Sequence, residues 1–187
     1  MPDATLETFL NTGAYLRGHF RLTSGLHSAE YLQSAKVLQY PNIAEKLAQE
    51  LVARMPKGDG VASPALGGLV IGHEVARAMG VRFIFTERDA EGKMTLRRGF
   101  AVTPGERFIV IEDVVTTGGS TKEVIDLLSS MGATVLSAGS IVDRSGGKAD
   151  VGVPRVALTT LQPETWPPDF CPLCKDGVPV EKPGSRK

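Results

Sequence analysis

Two cysteines, one tryptophan, three histidines and no excess of either charge remove several classes of function at the outset. Lys plus Arg and Asp plus Glu number 21 each, so the formal net charge is zero. Without a basic excess there is no electrostatic footprint for nucleic acid or for an anionic membrane, and any polyanion site must be local. No apolar run reaches the roughly 18 residues of a membrane span. The opening residues MPDATLETFL put acidic side chains ahead of apolar ones, without the basic start and apolar block of a secretory leader. A cytoplasmic location is expected. Both cysteines, Cys171 and Cys174, fall in one Cys-x-x-Cys, which could be redox-active, half of a zinc site or two plain thiols. A complete zinc site would need His19, His27 or His73, or a second subunit. His27 reads as a loop residue and His73 as a helix-surface one, so no residue is assigned as a metal ligand. A disulfide is disfavoured in a reducing cytoplasm.

What is present is an ordinary globular composition, 42% hydrophobic and 22% charged over 187 residues, which predicts a single domain. Leu6, Phe9 and Leu10 recur at helical spacing and Gly13 supplies a stop. The stretch from Tyr15 to Gln33 reads as short strands with turns. Pro41 opens a helix whose apolar stripe, Ile43, Leu47 and Leu51, runs through Met55. From residue 60 strands and helices alternate: Val61-Ala62, a helix over Leu69 to Met79 closed by Gly80, and a strand over Val81 to Phe85. The apolar strand Phe108 to Ile111 follows, then a helix over Ser120 to Met131 with Val124, Leu127 and Leu128 toward the core. Gly132 stops that helix, and Ala133 to Val142 is another strand. Alternation of this kind predicts an α/β fold, a mostly parallel central sheet flanked by helices, with ligands bound beyond the carboxyl ends of the strands. The tail from Gln162 holds five of the 12 prolines before Lys182 and reads as irregular.

The segment with the most chemistry is VIEDVVTTGGST, Val110 to Thr121. A buried strand leads through Gly118 and Gly119 into a helix start. Glycine there permits positive φ and close approach of an anion to the amides, and the helix adds unsatisfied N–H groups and partial positive charge. Thr116, Thr117, Ser120 and Thr121 add hydroxyl donors. Neither GxxxxGK[ST] nor GxGxxG occurs here. Instead Glu112 and Asp113 stand at the strand end, and paired carboxylates accept hydrogen bonds from a vicinal diol. Phosphate loop and diol clamp together describe a 5-phosphoribosyl group. A plain helix entry would require the glycines and the serine but not the threonines and both acids.

This segment closely resembles the binding signature for 5-phosphoribosyl 1-pyrophosphate (PRPP) of the type I phosphoribosyltransferases. The run FRLTSGLHSAEYLQ (Phe20 to Gln33), the run Ile141 to Arg144 and the Cys-Pro-Leu-Cys tail narrow the resemblance to the orotate branch of that family. The resemblance covers nearly the whole chain, residues 1–187 as one domain. It implies a small N-terminal hood (1–40), an α/β core (41–161) and a C-terminal tail (162–187). It also implies transfer of phosphoribosyl from PRPP to orotate in pyrimidine biosynthesis, with Mg2+ as cofactor, a homodimer, and neither nucleic acid nor membrane as partner.

Carried over by position, the resemblance assigns Glu112 and Asp113 to the ribose hydroxyls. Val114, Val115, Thr116, Thr117, Gly118, Gly119 and Ser120 complete the PRPP loop around the 5-phosphate. Thr116 and Arg144 would contact orotate, whose carboxylate suits the fork of a guanidinium. Tyr31 and Leu32 match positions covering the pyrimidine ring. Ala65, Leu66 and Gly67, within Ser63 to Gly68, match the pyrophosphate loop. Two lysines often found in the family are absent, their positions being Thr23 and Gly67. Thr86 to Arg98 has the position of the mobile catalytic loop, with Arg88 and Lys93 as the expected cations at the leaving group and Arg97 and Arg98 as weaker ones. The rival expectations are a phosphoribosyltransferase for another base and a PRPP-sensing regulator. A regulator would carry a DNA-binding extension or a basic face, whereas only about 40 residues precede the core and the charge is balanced.

Overall fold

The computed structural model describes residues 3–22 and 24–183. Its Cα positions divide into two compact units, residues 38–161 and a second made of residues 1–37 and 162–187.

In the larger unit six strands form one sheet in the order β5-β4-β3-β6-β7-β8. They are β3 (Gly60–Pro64), β4 (Arg82–Arg88), β5 (Met94–Leu96), β6 (Arg107–Val115), β7 (Thr134–Asp143) and β8 (Arg155–Thr160). Every pairing is parallel except β4 with β5, which form an antiparallel hairpin. Central β6 is apolar without alternation because both of its faces are covered. Phe108, Ile109, Val110 and Ile111 have no exposed surface, each contributing about 1.5–3 kcal/mol relative to an exposed side chain. Phe108 and Val110 pack with Val124, Ile125 and Leu128 of α5 (Gly119–Ser130). The expected α/β architecture with a mostly parallel sheet is therefore what the chain adopts.

Helices α3 (Pro41–Val52) and α4 (Gly68–Met79) belong to the same unit. The α3 stripe is Ala44, Leu47, Ala48 and Leu51; it ends at Val52, short of the predicted Met55. Gly80, at φ 68°, closes α4 as expected. Strand β8 was not foreseen. Its sequence RVALTT follows a loop rich in glycine and charge, and it is recognised only by its pairing with β7.

In the smaller unit α1 (Ala4–Asn11) is capped by Asp3, whose Oδ1 accepts from the amides of Thr5 at 3.0 Å and Leu6 at 3.1 Å. Phe9 is buried, whereas Leu10, expected on the same stripe, is half exposed. Strands β1 (Tyr15–Arg21) and β2 (His27–Leu32) pair antiparallel, with a register shift between Arg17 and Phe20. A short helix α2 (Ser34–Leu38) follows. The tail is not irregular throughout. Strand β9 (Thr165–Trp166) adds to β2, then come a 3-10 turn at Pro168–Phe170 and a one-turn helix α6 (Pro172–Lys175). Two long-range pairings that proline content hides produce this: Trp166 lies opposite His27 and Thr165 opposite Ser28. No helix among the described residues is long and apolar enough to cross a membrane.

Candidate active site

Parallel pairing brings the carboxyl ends of β3, β4, β6 and β7 to one edge of the sheet, and the loops leaving that edge carry the candidate residues. Glu112 and Asp113 are the sixth and seventh residues of β6; Glu112 is buried and Asp113 half-buried. Asp113 Oδ1 accepts from the Val114 amide at 2.8 Å, which fixes the carboxylate at the strand end. Val115 is buried, and its carbonyl accepts from the Arg144 amide at 2.8 Å. That bond joins the ends of β6 and β7 and brings the backbone of Arg144 alongside Val115, one residue before Thr116.

The turn after β6 is Thr116, Thr117 and Gly118, with both threonines exposed. Gly118 stands at φ 82° and caps α5, and the first helical bond runs from the Lys122 amide to the Gly118 carbonyl at 2.8 Å. A β-carbon on Gly118 would lie 2.8 Å from Val151, so both conformation and space require glycine. Glycine also has no side chain to occupy the helix's first amides. The same is true of α4, whose cap is Gly67. Helix α1 is capped by an aspartate side chain, whereas the cap residues of these two helices at the carboxyl edge are glycines that make no side-chain cap bond. Thr117 Oγ1 accepts from the Gly119 amide at 3.4 Å, and Ser120 is half-buried on the first turn of α5.

The second loop, Ala65, Leu66 and Gly67, lies directly over the acids. The Ala65 amide donates to the Thr86 carbonyl at 2.8 Å, and Leu66 is largely exposed. A β-carbon on Gly67 would meet Asp113 Oδ1 at 2.5 Å, and one on Gly68 would meet the Ile111 carbonyl at 2.9 Å and Glu112 Oε1 at 3.3 Å. The Gly67–Gly68 backbone and the carboxylates of Glu112 and Asp113 are thus close neighbours, which sequence separation conceals. The other position lacking the family's lysine, Thr23, is outside the described residues.

Thr86 to Arg98 is less of a loop than expected, because β4 continues to Arg88 and β5 begins at Met94. Arg88 is docked on α5. Its Nη1 donates to Glu123 Oε2 at 2.7 Å and to the Gly92 carbonyl at 2.6 Å, and its Nη2 donates to Glu123 Oε1 at 3.2 Å and Ser120 Oγ at 3.4 Å. Arg98 forks onto Glu87 at 2.7 and 2.8 Å, and that pairing holds the Glu87 carboxyl below its ordinary range. Lys93 and Arg97 are exposed. Asp143, beside Arg144 in sequence, is committed elsewhere: burial pushes its pKa up, but hydrogen bonds from Ser145 and the Arg155 guanidinium outweigh it and the net direction is down.

Tyr31 and Leu32 belong to the smaller unit, on β2. The Tyr31 ring stands 5.8 Å from that of Phe20, and Leu32 is buried. His27 is no loop residue. It is the first residue of β2, 5% exposed, and burial together with the His19 and Arg21 charges keeps its pKa below 6.5. His73 is on the exposed surface of α4, as expected.

Comparison with known proteins agrees with this geometry. A family model described as phosphoribosyl transferase domain matches residues 33–167. An orotate phosphoribosyltransferase of Heliobacterium modesticaldum is 53% identical over 98% of both chains, and one of Carboxydothermus hydrogenoformans is 54% identical over 97% of this chain and 96% of that one. The crystal structure of orotate phosphoribosyltransferase from Aeropyrum pernix superimposes with a TM-score of 0.71 at 28% identity, covering 83% of this chain and 93% of the other. The chain belongs to the phosphoribosyltransferase family, in its orotate branch.

Proposed function

We infer that this chain transfers the 5-phosphoribosyl group of PRPP to orotate, giving orotidine 5′-monophosphate and pyrophosphate in pyrimidine nucleotide biosynthesis. The observation that carries the reading is the junction of β6 and α5, where two adjacent carboxylates meet a glycine-capped helix start under the Gly67–Gly68 backbone. The names of the relatives select orotate as the acceptor.

In the proposed reaction a ring nitrogen of orotate bonds to C1 of the ribose as the C1–O bond to pyrophosphate breaks, and the nitrogen's proton passes to solvent. Positive charge develops on the ribose and negative charge on the departing pyrophosphate. Glu112 and Asp113 accept hydrogen bonds from the ribose hydroxyls and sit where they favour that positive charge. Thr116, Thr117, Gly118, Gly119 and Ser120 hold the 5-phosphate through hydroxyls and helix amides, and Val114 and Val115 set the strand end from which the turn departs. In the pyrophosphate loop Ala65, its amide held by the Thr86 carbonyl, anchors the turn, and the amides of Leu66 and Gly67 face the pyrophosphate. Lys93 and Arg88 supply cations at the leaving group, for which Arg88 exchanges its Glu123 partner. Arg144 and Thr116 take the orotate carboxylate, and Tyr31 and Leu32 keep their assignment to the pyrimidine ring as part of the same proposal.

Mg2+ fits the donor set, since Glu112 and Asp113 offer only oxygen. When bound with PRPP it would neutralise charge on the pyrophosphate. A homodimer in the cytoplasm completes the proposal. Light scattering on the purified protein tests the first, and a dimer mass is expected.

The deciding assay mixes protein, Mg2+, PRPP and orotate and follows loss of orotate absorbance, with adenine and uracil as competing acceptors. Turnover with orotate alone is expected. Turnover with another base would reassign the acceptor, and PRPP binding without turnover would make the chain a sensor.

A further inference from the structure

Sequence spacing makes Cys171 and Cys174 one half of a possible tetrahedral site, and the fold of the smaller unit supplies the other half. His27 lies opposite Arg21 across the β1–β2 hairpin, and His19 is two residues before Arg21, so both imidazoles occupy diagonal positions on one face. The register shift between Arg17 and Phe20 puts His19 on that face. The tail is brought to the same place by its own bonds. Trp166 pairs with His27, the Glu181 amide donates to the His19 carbonyl at 2.8 Å, and the Arg21 amide donates to the Glu181 carbonyl at 2.8 Å. The Cys-x-x-Cys turn is therefore delivered to the histidines by backbone pairing on both sides of it.

We propose that His19 Nε2, His27 Nδ1, Cys171 Sγ and Cys174 Sγ form a closed, tetrahedral Zn2+ site that staples the C-terminal tail to the β1–β2 hairpin.

All four ligand atoms lie within 4.8 Å of one another. Zn–N bonds of about 2.0–2.1 Å and Zn–S bonds of about 2.3 Å at tetrahedral angles place nitrogen and sulfur ligands roughly 3.5 Å apart. The separations here are 3.4 Å from Cys171 Sγ to His19 Nε2, 3.7 Å from Cys174 Sγ to His19 Nε2, and 3.4 Å from Cys174 Sγ to His27 Nδ1. The two ring nitrogens approach to 2.8 Å, a contact that a proton or a cation must mediate. A proton would serve the two rings but would leave both sulfurs with weak thiol contacts only.

The surroundings orient the ligands as a metal site requires. His19 Nδ1 lies 2.7 Å from the Val178 carbonyl, a partner that can only accept, so the proton is on Nδ1 and the Nε2 lone pair turns to the cluster. Three of the four residues are buried and both thiols are free. Two sulfurs with two imidazoles select zinc over hard cations, and four protein ligands leave no position for a reacting water, so the role is structural. The unit has reason to need it. Residues 1–37 and 162–187 are few enough that a hydrophobic core alone stabilises weakly, and small domains commonly add a metal. The site stands independently of the phosphoribosyl chemistry, so failure of either reading leaves the other intact.

The test uses the full chain, produced without an affinity tag or chelator, with metals quantified by plasma mass spectrometry. One zinc per chain is expected. Cobalt in its place should give the visible bands of tetrahedral Co2+ and thiolate-to-cobalt charge transfer. Cys174→Ser, altering the exposed thiol, should weaken zinc binding by roughly 10²-fold or more and diminish the charge-transfer band, while His73→Ala leaves both unchanged. Wild-type protein that takes up no zinc from a stoichiometric supply would overturn the site, as would a Cys171–Cys174 disulfide in its peptide map. Should Cys174→Ser fail to fold, wild-type stoichiometry and the cobalt spectrum still decide.

Discussion

Gly67 rests on Asp113 so closely that a β-carbon would lie 2.5 Å from the Oδ1 atom, itself held at 2.8 Å by the Val114 amide. The position at which related enzymes often carry lysine is, in this chain, one where any side chain displaces a carboxylate assigned to the ribose. Gly67→Ala should therefore lower kcat/KM for PRPP by roughly 10–100-fold, the loss of one charged hydrogen bond worth about 1.5–3 kcal/mol, with little change in Tm. Gly67→Lys should be no better. Wild-type kinetics in either variant would show that the loop moves off Asp113 at no cost.

Lys93 is exposed at the tip of the β4–β5 hairpin, where its backbone bonds with Asp89 are its only hydrogen bonds among the described residues. Lys93→Ala should cost about 10²–10³ in kcat, the usual effect of removing one electrostatic contact to the transition state. An unchanged unfolding curve is expected, and near-normal turnover would remove Lys93 from the mechanism.

Arg88 holds Glu123 through two bonds, and the same guanidinium is assigned to the leaving pyrophosphate. Two variants separate docking from chemistry. Arg88→Ala should lower kcat by about 10²-fold or more. Glu123→Ala, which releases the hairpin but keeps the cation, should leave kcat within a few-fold and alter stability by no more than about 1 kcal/mol, as for other exposed pairs. Equal damage from both would make Arg88 a structural residue.

Gly118 is required twice, by its φ of 82° and by the Val151 methyl 2.8 Å from where a β-carbon would stand. Gly118→Ala should lower Tm and weaken PRPP binding together, the conformational part alone costing about 1–2 kcal/mol. Gly105→Ala is the control. Its φ is 84° but nothing lies within 4 Å, so it should lower Tm without touching PRPP affinity.

Asp59 joins the start of β3 to Arg107 at the start of β6, accepting from the Arg107 side chain at 2.7 and 2.9 Å and from its amide at 3.1 Å. The Arg107 hydrogen bonds pull the Asp59 carboxyl from 3.8 to about 2. A carboxyl depressed in the folded state binds fewer protons than in the unfolded chain. Its stabilisation is therefore complete above pH 3.8 and lost as pH falls from there toward about 2. Denaturation followed across that window should show a shallower acid loss in Asp59→Asn than in wild type. Identical slopes would mean that the pairing persists in the unfolded state.

Much of the site was legible because it is contiguous. Glu112, Asp113, Gly118, Gly119 and Ser120 follow one another along a strand, a turn and a helix start, and each local preference agrees with the next. The unbroken apolar run Phe108 to Ile111 likewise declared a strand buried on both faces. Strand β8 and the Trp166 pairing were not legible, since RVALTT and a proline-rich tail carry no period strong enough to mark a strand without its partner. Arg88 looked like part of a mobile loop because nothing in Thr86 to Arg98 reveals that Glu123, on another element, awaits it.

By its order of residues alone, then, this chain determined the parallel α/β core, the glycine turn from β6 into α5 and the acidic pair at the strand end, because short-range backbone preferences and burial periodicity act between near neighbours. Only the tertiary structure decided that Gly67 lies on Asp113, that Arg88 docks on α5, and that His19, His27, Cys171 and Cys174 converge. Those relations join segments separated by between 35 and 155 positions, and pairing and packing of whole strands set such distances, with no local preference to announce them.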